Sequence, residues 1–251
     1  MIAEAALAEL AAGNLLVALD FDGTLAPIVP RPEDAAMRPE TRRLLARLAQ
    51  LYPCAVVSGR AEDDLRRHLA GVTVWYAVGN HFLEPAAERE QAVLRWRPAL
   101  EAAIAPLRGV TLEDKGASLA LHYRGAEEHD RARAQILEAA ALLDGARAIE
   151  GKEVVNVVPR GGPDKAAAVE RLCAQLGCDR ALYVGDDLPD EEVFALPRIT
   201  GVRVGGGQAS RARHFLSGQG EVDALLERLA AARARPSRSQ EALAAMRRGS
   251  G

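Results

Sequence analysis

Five apolar residues, Leu15–Leu19, run without a break into the acidic pair Asp20 and Asp22. An apolar run this short reads as a strand buried on both faces, so the acids that end it belong at the edge of a sheet. Short apolar runs alternate with amphipathic stretches along the chain, the pattern of an α/β fold with a largely parallel, Rossmann-like sheet. Strands are expected over Leu15–Leu19, Cys54–Val57, Val72–Val78, Ala181–Val184 and Thr200–Val204. Helices are expected over Pro39–Gln50, Ala61–Leu69, Asp164–Leu176, Asp190–Ala195, Gln208–Leu216 and Glu221–Ala232.

Between Gln91 and Val158 the rhythm changes. Helix Ala92–Ala105 precedes strands Val110–Glu113 and Ser118–His122, which bracket the turn Asp114-Lys115-Gly116. Helix Glu127–Leu143 then leads to strands Ala146–Ile149 and Glu153–Val158. This αββαββ order predicts a small antiparallel sheet with helices on one face. The expected organisation is a core of residues 1–90 and 159–235, an inserted domain over 91–158 and a frayed tail over 236–251.

Composition narrows the function classes. The 251 residues are 49% hydrophobic, enough for a sizeable core, and the net charge of -3 offers no basic face for nucleic acid. Aromatic residues, at 4%, are too sparse for base-stacking platforms. Cys54, Cys173 and Cys178 form no CxxC pair and sit in apolar or helical patterns, as buried thiols of a reducing compartment do. The opening MIAEAALAELAAG lacks a basic n-region and reads as a short helix rather than a signal peptide. No apolar run approaches the ~20 residues that span a bilayer. A cytoplasmic protein with neither nucleic-acid nor membrane partners is expected, as a monomer with a dimer left open. The Lys and Arg residues number 32, yet the only lysines are Lys115, Lys152 and Lys165. In so arginine-rich a chain, a retained lysine points to a need for its compact ammonium.

Functional residues of a parallel sheet collect at the carboxyl ends of its strands. The first strand delivers Asp20, Asp22 and Thr24; the second delivers Ser58-Gly59-Arg60; a later one delivers Asp186, Asp187 and Asp190, while Lys165 opens a helix. Carboxylates crowded this way repel unless a cation neutralises them. Oxygen ligands with open positions suit Mg²⁺, which commonly shares a phosphate with its protein ligands. Hydroxyls, N–H groups and Lys165 would hold phosphate oxygens. One acid can accept a phosphoryl group and another can trade the protons.

DFDGT at Asp20–Thr24, Ser58, Lys165 and GDDLPDEEVF at Gly185–Phe194 together resemble the haloacid-dehalogenase-like phosphotransferases. The resemblance implies that Asp20 is the nucleophile and Asp22 the general acid/base, with Ser58 and Lys165 on the phosphate. It also implies that Asp186, Asp20 and the Asp22 carbonyl hold Mg²⁺, supported by Asp187 and Asp190. The inserted segment resembles the larger α/β cap of that superfamily, a type IIB-like cap built of αββ repeats. Within the group the chain is similar to trehalose-6-phosphate phosphatases, through LDFDGTLAPIVP, SGR, EDKGASLALHYR, EGK and YVGDDLPDEEVF. That implies Mg²⁺-dependent hydrolysis of trehalose 6-phosphate, a phosphorylated disaccharide, through an aspartyl-phosphate.

Substrate choice then falls to Glu113, Lys115, His122, Arg124 and Lys152 in the insertion, with Thr24, Arg60, Asn80 and His81 on the core side. Glu accepts from sugar hydroxyls, while Lys and Arg donate to hydroxyls or phosphate. A solvated cross-strand salt bridge is the other reading of the Glu113–Arg124 string, and His122 alternates with Leu119 and Leu121, facing either solvent or a cleft. Two positions depart from the family pattern. Phe82, in GNHFLE with His81 and Glu84, replaces a glycine, and Asn156 replaces a glutamate that contacts sugar. A neutral contact has about half the strength of a charge-assisted one. A phosphatase for another glycosyl phosphate, such as glucosyl- or mannosyl-3-phosphoglycerate or a broad range of sugar phosphates, is the same-class alternative. A catalytically silent binding module on the same fold is the alternative from another class.

Overall fold

The computed structural model describes residues 2–80, 87–162, 164–206 and 209–234. The expected tail over 236–251, together with His81, Phe82 and Glu84, lies outside them. After helix α1 (Glu4–Ala12) the chain enters β1 (Leu15–Leu19), α2 (Pro39–Leu51), β2 (Cys54–Val57), α3 (Glu62–His68) and β3 (Tyr76–Val78). A second group follows: α4 (Ala87–Ile104), β4 (Thr111–Asp114), β5 (Leu119–His122), α5 (His129–Ala141), β6 (Ala146–Gly151) and β7 (Val154–Pro159). The chain then returns through α6 (Lys165–Leu176), β8 (Arg180–Gly185), α7 (Asp190–Phe194), β9 (Ile199–Val204), β10 (His214–Leu216) and α8 (Val222–Ala234).

Six strands form one parallel sheet in the order β10-β9-β8-β1-β2-β3. Its central strand is buried along its length, with alternate residues entering different cores. Leu15, Val17 and Leu19 pack with α1, α2 and α8 through Leu7, Leu44, Leu48 and Leu225. Leu16 and Ala18 pack on the other face with Val169 and Leu172 of α6 and Phe194 of α7. Helices on both faces leave only the strand ends open, which places Asp20, Ser58 and Asp186 along one edge.

The second sheet is antiparallel, in the order β4-β5-β7-β6. Leu119, Leu121, Val155 and Val157 turn towards α4 and α5, where they meet Val93, Trp96, Leu100 and Ile136. Side chains alternate along a strand, so their neighbours take the opposite face. Register then aligns Glu113 with Ala120, Ala120 with Asn156, and Thr111 with His122 on that helix-free face.

One expected element is wrong. The helix expected over Gln208–Leu216 does not form in its described part, 209–216: His214–Leu216 is instead a strand parallel to β9, with Leu216 opposite Val204 and buried. A helix there would leave the backbone of β9 unpaired along that side, whereas the His-Phe-Leu triplet completes the ladder. The expected strand over Val72–Val78 pairs only over Tyr76–Val78, while Val72 fills core space without a ladder partner. No described helix is long and apolar enough to cross a membrane.

Candidate active site

Asp20 extends the β1 ladder by donating its N–H to the Val184 carbonyl at 2.9 Å, which fixes its side chain over the sheet edge. Across from it, Asp164 caps α6 by accepting from the Ala167 N–H at 2.9 Å. The next residue, Lys165, points back into the site. Its ammonium donates to Asp20 Oδ1 at 2.8 Å and to Asp190 Oδ1 at 2.7 Å. Asp190 is fully buried and satisfied: Tyr183 donates to Oδ1 at 2.7 Å, and the N–H groups of Asp186 and Asp187 donate to Oδ2 at 2.8 and 2.9 Å. Gly185 is required beside it, because a Cβ there would lie 2.4 Å from the Asp190 carboxyl carbon.

Burial raises the pKa of Asp20 well above the carboxylate range; Lys165 opposes this, while Asp190 and Asp186 add to it. Burial works against the charge of Lys165, yet Asp190 and Asp20 prevail and hold its pKa well above an ordinary lysine. Burial also pushes Asp186 up to about 6, against the pull of Lys152. A cation bound among these acids would favour their charged forms.

Single oxygens of Asp20, Asp186 and Asp190 lie within 4.8 Å of one another. The oxygens of Asp190 are already taken by protein donors, but Asp186 Oδ1 is buried without a partner. The Thr24 hydroxyl is likewise buried and unpartnered. Gly23, with φ +80°, gives the Asp186 carboxylate its room, since a Cβ would come within 1.9 Å of Oδ2. Hard carboxylate oxygens with spare lone pairs suit Mg²⁺, and Asp20 and Asp186 fit that ion. The Asp187 carboxylate is directed elsewhere, accepting from the N–H groups of Leu188 and Lys152 at 2.8 and 3.1 Å. The Asp22 side chain is likewise engaged, in a bidentate pair with Arg60 at 2.7 Å for both contacts.

Above these groups lies a cavity of about 750 Å³, bounded by the strand ends on one side and by the helix-free face of the antiparallel sheet on the other. Asp20, Asp22, Ser58, Arg60, Lys165, Asp186 and Asp187 line it from below, and Glu113, Lys115, His122, Arg124, Lys152 and Asn156 from above. Thr24 and Asn80 are not among its lining residues. Asn80, in the left-handed region at φ 49°, accepts from the Ser118 hydroxyl and donates to the Lys115 carbonyl at 3.4 Å, tying the two sheets together. His122 faces the cavity with Nε2 2.8 Å from Glu113 Oε2. Lys115 donates to the Gly59 carbonyl at 2.8 Å and to Asn156 Oδ1 at 3.2 Å, and burial lowers its pKa. Lys152 places its ammonium on Asp186. Arg124 pairs with Glu153 at 2.8 Å and donates to the Val29 carbonyl.

A family model described as trehalose-phosphatase matches residues 18–203, most of the chain. The chain belongs to the trehalose-phosphatase family. Among curated proteins it is 33% identical over 206 residues to a trehalose-phosphate phosphatase of Mycobacterium ulcerans, and 34% identical over 207 residues to that of Mycobacterium marinum. Each match covers 75% of this chain and 53% of the relative, so the chain spans about half the length of these proteins. A solved trehalose-6-phosphate phosphatase C-terminal domain from C. albicans has the same fold, with a TM-score of 0.78 at 21% identity. That superposition covers 92% of this chain and 97% of the other.

Three groups with no role expected from the sequence are brought to the site by the structure. Tyr183 anchors Asp190, while Asp64 and His68 reach Arg60 from α3. Tyr183 is inconspicuous as one more residue of an apolar strand. Asp64 and His68 do carry a signal, since Arg60, Asp64 and His68 repeat every four residues and so share one side of the segment.

Proposed function

We propose that this chain is a Mg²⁺-dependent phosphatase that hydrolyses trehalose 6-phosphate to trehalose and phosphate. The observation that carries the reading is the setting of Asp20, a buried carboxylate held by Lys165 beside the partnerless oxygen of Asp186, under a cavity large enough for a disaccharide and lined by charged side chains from both sheets. Magnesium held by the Asp20 and Asp186 carboxylates and the Asp22 carbonyl would supply positive charge against the phosphate oxygens. Ser58 and Lys165 orient those oxygens. Asp20 attacks phosphorus in line, an O–P bond forms, and the bond from phosphorus to the sugar oxygen breaks as Asp22 gives that oxygen a proton. Asp22 then takes a proton from water, which attacks the aspartyl-phosphate at phosphorus and frees Asp20 and phosphate.

Residues 91–158 serve as a cap inserted into a core formed by 1–90 and 159–235. Glu113, Lys115, His122, Arg124, Lys152 and Asn156 present sugar-facing groups from it. Arg60, with its nitrogens on Asp22, Asp64 and Pro32, is better assigned to orienting Asp22 than to the sugar. A cytoplasmic setting accords with the free thiols of Cys54, Cys173 and Cys178.

One observation favours a second reading, a phosphatase for another glycosyl phosphate. Beside the Gly59 carbonyl, the buried Lys115 ammonium meets the neutral amide of Asn156, which gives the sugar less negative charge at that position than a carboxylate would. Phosphate release from trehalose 6-phosphate, glucose 6-phosphate and glucosyl- and mannosyl-3-phosphoglycerate, with and without Mg²⁺, decides between them. Trehalose 6-phosphate is expected to give the highest kcat/KM; parity with glucose 6-phosphate would sink the disaccharide assignment.

A further inference from the structure

Asp64 and His68 sit one turn apart on α3, on the side that looks back at Arg60, while Leu65 is buried in the core. The Arg60 guanidinium lies over the Phe21 ring, 5.3 Å from its centroid, and the residue is only 9% exposed. Its Nε and Nη2 grip the two oxygens of Asp22, and Nη2 also donates to the Pro32 carbonyl at 2.8 Å. On the far side, Nη1 donates to Asp64 Oδ2 at 2.6 Å and lies 2.9 Å from His68 Nε2. The His68 ring packs on Phe21 with centroids 5.4 Å apart, so the plane of the guanidinium is set by a ring below and acceptors at both ends.

We propose that Asp64 and His68 are positioning residues for proton transfer, holding the Asp22 carboxylate in its working direction through Arg60. The proposal rests on the reading of Asp22 as general acid/base. A bidentate fork transmits orientation because neither oxygen can swing without breaking a bond to a rigid plane. An arginine has several rotatable bonds, and anchoring only the Asp22 end would let the pair move together. Asp64 and His68 remove that freedom. The closing of the antiparallel sheet bears on the same loop, since Lys115 donates to the carbonyl of Gly59, next to Arg60. Misplacing a reacting group by ~1 Å can cost about 100-fold in rate.

The consequence depends on the leaving group. A sugar alkoxide needs the Asp22 proton as the P–O bond breaks, whereas an aryl oxide leaves without one. The ratio of kcat/KM for trehalose 6-phosphate to that for 4-nitrophenyl phosphate therefore reports proton delivery, because kcat/KM runs only through the first irreversible step. With the full chain, Asp22→Asn is expected to lower this ratio about 100-fold. Asp64→Ala should lower it about ten-fold, and Asp64→Asn, which keeps an acceptor for Arg60, should stay within about three-fold of the parent. Should Asp64→Ala fail to fold, His68→Ala carries the same test with the same direction. If Asp22→Asn leaves the ratio unchanged, the acid assignment falls and the clamp with it. If Asp22→Asn collapses the ratio while both α3 variants slow the two substrates equally, the clamp alone is overturned.

Discussion

Asp190 does not line the cavity, yet its two oxygens hold the ammonium and main-chain groups that do. Burial works to raise its pKa, but Lys165 and the surrounding donors prevail and hold it below the usual range. Its charge is thus part of the fold. Asp190→Ala should leave Lys165 short of one of its two partners and destabilise the protein by about 3 kcal/mol or more, read as a shift in the urea midpoint. The role proposed for Asp20 lies in the chemistry instead. Asp20→Asn keeps the shape and an acceptor for Lys165 but removes the proposed nucleophile, so turnover should fall by at least about 1,000-fold while the circular dichroism spectrum stays unchanged. Substantial activity in that variant would refute the assignment.

At the scale of elements, strand position was legible and strand neighbours were not. The apolar runs ending at Asp20, Ser58 and Gly185 are readable because a doubly buried strand must be apolar throughout, and the chemistry follows at its end. The direction faced by His122 was not readable from SLALH, since alternation leaves two faces open; pairing with β7 and packing against α5 decide it. The segment 208–216 misled because three strand residues carry little periodicity, and only the unpaired side of β9 selects a strand there. Arg124 was legible as important but not as a tie between Glu153 and the Val29 loop. The antiparallel sheet also carries a pH consequence. Burial acts to raise the pKa of Glu113, but the bond with His122 and the charge of Lys115 prevail and lower it. The unfolded chain therefore binds the proton more readily, so this contribution is complete above about pH 5 and is lost as pH falls through the folded value. Glu113→Gln should lower Tm at about pH 5, and that gap should close as the solution is acidified further; a gap that widens in acid would contradict the pairing.

At the scale of the whole molecule, the two sheets meet among the described residues through polar contacts rather than a shared apolar core: Lys115 on Gly59, Ser118 on Asn80, Arg124 on Val29 and Lys152 on Asp186. Their cores are separate, so the contact between sheets is the part of the structure most sensitive to charge at the site. Asp20 and Asp186 are desolvated acids whose charged forms burial disfavours, and Lys165 and Lys152 compensate them only in part. A divalent cation bound by these oxygens in the folded state and not by the unfolded chain must therefore stabilise the protein. At 100 times its dissociation constant the gain is about 2.7 kcal/mol. For a chain of this length that corresponds to roughly 5–10 °C in Tm. Mg²⁺ titrated into the substrate-free protein should produce this shift, chelation should reverse it, and Asp186→Asn should abolish most of it by removing the oxygen that has no protein partner. An equal shift in Asp186→Asn would place the ion elsewhere on the molecule and remove the carboxylate cluster as its site.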